Sequence, residues 1–497
     1  GVMAVIKDFA FNEQEINRNN YSSVVDARTA WELYYPPFEA AVQAGVGAVM
    51  CSYNRVNGTH SCVNSELLKG DLKGKMGFHG FVMSDWLAVY NYHTAIEEGL
   101  DQDMPGPGGE ADIFSDANIA ELHQQSVNEA AVRVLSAAYM MKFDEDPGCE
   151  PPSCEGPRAS YQRSEKHRAL AGDAAAHSVV LLKNDGLLPL GRPGGPRTIA
   201  IVGSAANPKL NLKNDLLPDY FSGGGSGHVT PGSWITASQG LEARASELGL
   251  VVVSSPSDNV SLALRAARDA DVVLVVVGAT STEAVDRPSL NLGGGADDLI
   301  RAVAGERPTV VLMQTPGAVL TPWRDNVSAV LNLFLAGEET GTAWSRVVFG
   351  DIAPSGRLPI MFPASEADTI RPSVFTDAVP YKEGLFTSYR NPSFRAAYPF
   401  GHGLTYTSFS YGEPQVILGQ GCRGRKCFSV NITNVGVFSG TEVVQVYLEF
   451  PSAGSDTPKL QLRAFQRTGL LQPRASEVLA FSLSDRDLSI YRPGPGW

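Results

Sequence analysis

The stretch GFVMSDW, residues 80–86, opens as a strand built for a core and closes on a carboxylate beside a large indole. Phe81, Val82 and Met83 suit a buried strand, after which Ser84, Asp85 and Trp86 arrive together at its carboxyl end. Two earlier apolar runs end in the same way. GVMAVIKDF (1–9) ends with Lys7 and Asp8, and GVGAVMCSYN (45–54) with Ser52, Tyr53 and Asn54. Between them, DARTAWELYYPPFEAAVQA (26–44) carries helical spacing. Strands alternating with helices argue for a parallel sheet with helices outside it. In such folds the ligand sits at the carboxyl ends of the strands. Three consecutive strands that deliver polar groups to one rim predict the active-site face of a (β/α)8 barrel.

A complete barrel takes about 250 residues. Residues 1–143 are therefore read as the C-terminal half of one, with the N-terminal half absent. The same gene product or a separate partner chain would supply the remaining strands. Residues 144–165, rich in Pro, Gly and charge, read as a linker. A second α/β pattern over 166–365 predicts a doubly wound α/β sandwich domain. Its strand candidates are TIAIVG, LVVVSS, DVVLVVVG, TVVLMQT and AVLNLFLAG, and EKHRALAGDAAAHSVVLL (165–182) reads as a helix. Residues 366–397 read as a connecting loop. From 398 to 497 the pattern turns to period-two alternation, as in CFSVNITNV and TEVVQVYLEF, which predicts a small all-β sandwich.

Bulk properties narrow the function. The formal net charge is −13 and no basic cluster is dense enough to follow a phosphate backbone, which argues against nucleic acid. Apolar runs such as DVVLVVVGA fall far short of the roughly 18 residues of a membrane span. The six cysteines form three local pairs, Cys51 with Cys62, Cys149 with Cys154 and Cys422 with Cys427. None has CxxC spacing, and His60, His79, His93 and His123 show no ligand spacing, so neither a metal nor a cofactor is expected. Nearest-neighbour disulfides are the expectation, although six cysteines allow 15 connectivities. Glycosylation sequons begin at Asn20, Asn57, Asn259, Asn326 and Asn431. With the cysteines they point to a secreted or lumenal protein. Two glycine-rich loops, YFSGGGSGHVTPG (220–232) and NLGGGADDL (291–299), lack the P-loop ending and the dinucleotide spacing respectively. Close approach of the backbone to a ligand is their expected use.

A carboxylate beside an aromatic suits sugar chemistry, because an indole face stacks on the C–H face of a pyranose. Hydrolysis with retention needs two carboxyls about 5–5.5 Å apart, one as nucleophile and one as acid/base. Asp85 is the first candidate.

At this point the sequence carries a resemblance. SSVVDARTAWELYYPPFEAAVQAGVGAVMCSYNRVNGTHSCVN, GFHGFVMSDWLAVY and EEGLDQDMPG resemble glycoside hydrolase family 3, its β-glucosidase branch. HRALAGDAAAHSVVLLKNDGLLPL, FSGGGSGHVTP, FGDIAPSGRLPIMFP and YPFGHGLTYTSF resemble its second domain and junctions. NITNVGVFSGTEVVQVYLEFP resembles its fibronectin type III-like domain. The resemblance implies a retaining exo-glycosidase that releases terminal β-linked glucose without a metal. Asp85 in SDW matches the nucleophile, Tyr53 the tyrosine that hydrogen-bonds near it, and Trp86 the aromatic wall of the sugar pocket. Glu283, in GATSTEAVDRPSLNL, matches the acid/base. The family's Lys-His-Phe reads KDF here, so Lys7 is kept as a sugar-binding residue and Asp8 replaces the histidine. An ionised aspartate only accepts hydrogen bonds, whereas histidine can also donate, so Asp8 would redirect sugar recognition. Glu13, Glu15 and Arg18 in FNEQEINR read as a charged network on the rim. The rival reading is a weak or inactive relative that serves as a carbohydrate-binding or structural subunit.

Overall fold

The computed structural model describes residues 2–106, 113–145, 160, 162–210, 217–373, 377–451, 454 and 456–497. The chain gathers into two compact units. One comprises Gly1–Gln162, Arg371–Leu385 and Ile490–Trp497, and the other Arg163–Ile370 and Phe386–Ser489.

In the first unit, strands β1 (Val5–Phe9), β2 (Ala48–Cys51) and β3 (Phe81–Met83) form a parallel sheet in chain order. Val5 pairs with Ala48, and Ala48 with Phe81. β2, the central strand, is buried along its whole length. The helical stretch 26–44 is broken in a way its prolines explain. Asp26 accepts from the Thr29 N–H, Ala30–Tyr34 winds as a wide π-turn, and helix α1 (Pro36–Gln43) starts afresh. Pro36 and Pro37 have no N–H to continue an α-helical ladder, but each is tolerated in a first turn. α1 turns Phe38 edge-on to Phe9, ring centres 4.8 Å apart. Helix α2 (Gln124–Met140) packs Ala137 and Val134 against Ala48 and Phe81.

A second small sheet in this unit corrects the reading of 366–397 as loop alone. Ala378–Pro380 pairs in parallel with Ser22–Val24, which pairs with Arg55–Val56 and through it with Thr59–His60. Three residues are too few to show alternation. Pro380 is accommodated because its strand lies at the sheet edge.

The second unit holds a six-stranded sheet of β4 (Val180–Asn184), β5 (Thr198–Val202), β6 (Val251–Ser255), β7 (Val272–Gly278), β8 (Thr309–Gln314) and β9 (Ala329–Leu333). The spatial order is β4-β9-β8-β7-β5-β6, parallel except for β4, which runs antiparallel to β9. The helices are α3 (Glu165–Ser178), α4 (Ala237–Glu247), α5 (Val260–Arg268), α6 (Ala296–Ala304) and α7 (Thr340–Val348). α3, α4 and α7 bury Ala176, Leu241 and Trp344 in one core with alternate sheet residues such as Leu274 and Leu312. α5 and α6 bury Ala267, Leu299 and Val303 in another with Val273 and Val311. β7 and β8, buried at every position, read accordingly as continuous apolar runs. The helix expected over 165–182 stops at Ser178, and its VVLL tail is the edge strand β4. A short apolar run serves helix or strand equally, and here β-branched Val180 joins the sheet.

Six strands follow: β10 (Phe409–Tyr411), β11 (Gln415–Ile417), β12 (Lys426–Asn434), β13 (Val443–Leu448), β14 (Gln461–Arg467) and β15 (Ser476–Leu483). β12 pairs antiparallel with β10, β11 and β15, and β13 pairs with β14. Val430, Ile432, Val444, Leu479 and Phe481 fill the core between them. Disulfides join Cys51 to Cys62 and Cys422 to Cys427. Cys149 and Cys154 lie outside the described residues.

Candidate active site

The carboxyl ends of β1, β2 and β3 bring Lys7, Asp8, Tyr53, Asp85 and Trp86 to one rim. β1 achieves this with an irregularity, its register to β2 shifting between Ile6 and Phe9. Asp8 sits at φ 65°, in the left-handed region. Aspartate is one of the few non-glycine residues that enters this region readily. A bulge re-aims side chains that a regular strand would send elsewhere.

Asp85 is the centre of the group. Its side chain is 8% exposed, and the Lys7 ammonium lies 3.6 Å from Oδ2. Its Oδ1 accepts from the Tyr53 hydroxyl at 3.1 Å and from the Trp86 N–H at 2.8 Å. The Trp86 residue is 49% exposed, so much of a large aromatic side chain stands open beside a buried carboxylate.

Tyr53 is placed by its neighbours. Cys51 is bonded to Cys62. The Ser52 hydroxyl donates to Asn54 Oδ1 at 2.7 Å and to Ser61 Oγ at 3.0 Å. The Asn54 amide donates to the carbonyls of Ala10 and Phe11, each at 3.2 Å. These groups are buried, so both residues flanking Tyr53 are held to the backbone that follows β1. A disulfide across a short loop adds about 3 kcal/mol in the chain-entropy account.

Charges crowd this rim. Burial pushes the Asp8 carboxyl above the usual aspartate range against the pull of Lys7, and the negative charges of Asp85 and Glu15 push the same way. Burial also raises Glu13, with Asp8 adding to it. Arg18 pairs with Glu15 at 2.9 Å, within the network expected from sequence. Its guanidinium carbon also lies 4.4 Å from the centre of the Tyr53 ring. That contact was not legible, because no local pattern links residues 18 and 53.

Glu283 belongs to the second unit, in the segment that follows β7. Its backbone N–H donates to the Gly224 carbonyl at 3.1 Å, while Gly224 donates to the Ser281 carbonyl at 2.9 Å. Its Oε2 accepts from the Ser226 N–H at 2.8 Å and the Ser226 hydroxyl at 2.6 Å. Gly225 has φ 101°, and a Cβ there would lie 2.3 Å from the Glu283 Cβ. The loop FSGGGSG thus approaches the Glu283 carboxylate. The close approach expected from the sequence was to a ligand, whereas the neighbour of this loop here is Glu283, and no local pattern singles out Ser226.

His60 accepts from the Arg55 guanidinium at 3.1 Å and contacts the Tyr53 carbonyl at 3.3 Å. Burial lowers its pKa. Asn20, Asn57, Asn259, Asn326 and Asn431 all stand at exposed positions. Among the described residues no helix is long and apolar enough to cross a membrane.

Comparison with known proteins gives a consistent picture. The glycosyl hydrolase family 3 N terminal domain matches residues 1–137, its C-terminal domain residues 179–406, and the fibronectin type III-like domain residues 442–497. A probable beta-glucosidase L of Aspergillus terreus is 35% identical, over 99% of this chain and 73% of that protein. Beta-glucosidase cel3A of Pyricularia oryzae is 34% identical, over 99% and 73%. Among solved structures, the beta-D-glucoside glucohydrolase of Trichoderma reesei superposes with a TM-score of 0.90 at 31% identity, covering 100% of this chain and 75% of that one. DesR, a beta-glucosidase from Streptomyces venezuelae in complex with D-glucose, gives 0.87 at 27% identity, covering 100% and 78%. The expected N-terminal barrel half, from the same gene product or a separate chain, gains no support as a partner from these matches. With three domains matched in order and relatives a third identical along nearly all of its length, the chain belongs to glycoside hydrolase family 3, with a fibronectin type III-like C-terminal domain.

Proposed function

We propose that this glycoside hydrolase is a retaining exo-β-glucosidase that removes terminal β-linked glucose by double displacement. One observation carries the reading: a buried carboxylate, Asp85, is held by Tyr53, the Trp86 N–H and Lys7 at the carboxyl end of a parallel strand. Asp85 attacks the anomeric carbon while Glu283 gives its proton to the departing glycosidic oxygen. The C–O bond to the aglycone breaks and a glycosyl ester forms. Glu283, now a carboxylate, takes a proton from water, which attacks the same carbon and frees Asp85. Trp86 offers a stacking face to the pyranose. Lys7 and Asp8 engage its hydroxyls, with Asp8 as the acceptor that sets preference among sugars.

The finer architecture belongs to this proposal. The parallel sheet of 1–143 is part of a (β/α)8 barrel, 144–165 a linker, 166–365 an α/β sandwich, 366–397 a connection and 398–497 the fibronectin type III-like domain. Secretion fits the two local disulfides and the exposed sequons. The non-catalytic reading is not favoured, since the relatives carry β-glucosidase names and both candidate carboxylates are present.

Proton NMR of an aryl β-glucoside digest tests the reaction. β-Glucose appearing first, before mutarotation, supports retention. α-Glucose first, or no turnover, overturns it.

A further inference from the structure

The second unit carries a cavity that the glucosidase reading does not use. It has a volume of about 350 Å³ and lies between the segment Ser355–Pro359 and strands β13 and β14. That volume falls in the range of small-molecule sites, roughly 300–1,000 Å³. Much of the lining is apolar, with Pro359, Phe400, Leu462 and Phe465. Phe400 is fixed by stacking on Tyr389, ring centres 4.4 Å apart and planes at 19°. Phe465 is 67% exposed, a large apolar side chain left at the rim.

Two arginines enter this apolar setting, and they differ. Arg357 is paired with Glu442 Oε1 at 2.5 Å, so its charge is balanced. Arg467 donates only to hydroxyls: to Thr441 Oγ1 through Nε at 3.2 Å and Nη2 at 3.1 Å, and to Ser355 Oγ at 3.2 Å. Among the described residues it forms no ion pair with a carboxylate. Partial desolvation of this exposed guanidinium lowers its pKa. Arg467 is exposed, so the rim of the cavity carries a cation with no carboxylate partner among the described residues, in a chain of net charge −13. Guanidinium matches a carboxylate in geometry as well as charge, since its planar fork fits two oxygens. Phe400 and Phe465 fit an aromatic body.

We propose that this cavity is a binding site for an aromatic carboxylate, the carboxylate on Arg467 and the ring against Phe400 and Phe465. It is separate from Asp85 and Glu283 and does not rest on their roles.

Isothermal titration of the whole chain with sodium 4-hydroxycinnamate tests this, with the neutral 4-hydroxycinnamyl alcohol as comparison. The expected result is saturable one-site binding. It is weakened about tenfold or more for the alcohol and in Arg467→Gln, in line with the loss of a charge-assisted hydrogen bond. Arg467→Lys, which keeps the charge but not the fork, falls between, and Phe465→Ala weakens acid and alcohol alike. Hydrolysis of aryl β-glucosides without probe stays unchanged in these variants, which also shows that they fold. Absence of saturation, equal affinity in Arg467→Gln, or competitive displacement by glucose would each overturn the proposal.

Discussion

The Tyr53 hydroxyl donates to Asp85 Oδ1 at 3.1 Å. The same oxygen accepts the Trp86 N–H, so one carboxylate oxygen is fixed by a side chain just past the end of β2 and by backbone from its own strand end. A nucleophile oriented in this way can meet an anomeric carbon without first reorganising.

Tyr53→Phe removes one of these donors and leaves the ring. A hydrogen bond to a charged group contributes about 1.5–3 kcal/mol, so kcat should fall about ten- to a hundredfold with little change in thermal stability. Steady-state kinetics on aryl β-glucosides measure this. A loss smaller than threefold would remove Tyr53 from the mechanism.

Arg18 should act through Tyr53. A cation over an aromatic ring contributes about 0.5–2 kcal/mol and holds the ring in place. Arg18→Gln should lower kcat less than Tyr53→Phe does, and should add little in a Tyr53→Phe background. Such non-additivity is the mark of a shared path. Fully additive losses would show that Arg18 works elsewhere.

Gly225→Ala should disable Glu283, the proposed acid/base. The new Cβ would lie 2.3 Å from the Glu283 Cβ, at a φ of 101° that alanine resists. A displacement of about 1 Å at a catalytic group can cost about a hundredfold. The loss should be greater for alkyl glucosides, which need a proton on the leaving group, than for nitrophenyl glucosides. Equal losses on both would point to a different acid.

Asp8 supplies a pH signature. Its carboxyl is raised above the ordinary value of 3.8, chiefly by burial. The folded state thus holds this proton more tightly than the unfolded state. Ionisation of Asp8 works against folding: it has no effect well below pH 3.8, grows as pH rises through the window up to the folded-state pKa, and persists above it. Asp8→Asn removes that effect, and asparagine tolerates the same backbone conformation. Its gain in Tm over the parent should be near zero at low pH and increase toward neutrality. A gain that shrank as pH rose would reverse the sign and contradict the burial account.

The candidate site was legible where its residues cluster at a strand end. Lys7, Asp8, Tyr53, Asp85 and Trp86 stand at the ends of short apolar runs, and the change from apolar to polar residues marks the end of such a run. Glu283 and its glycine loop were legible as separate segments of the sequence. Their contact was not, because hydrogen bonds between residues 226 and 283 leave no periodic trace. In the fold, fully buried strands such as β7 announced themselves. β4 did not, since VVLL continues an alanine-rich helix without punctuation. The return of Ala378–Pro380 to the first unit is a three-residue pairing below the length at which alternation can be seen.

The central claim is that Asp85 is the nucleophile. Incubation with 2,4-dinitrophenyl 2-deoxy-2-fluoro-β-glucoside slows release of the glycosyl enzyme and allows the adduct to be mapped by peptide mass spectrometry. One fluoroglucosyl unit per chain is predicted, carried on Asp85 and absent in Asp85→Asn. A stoichiometric label on any other residue of an active enzyme would contradict the account.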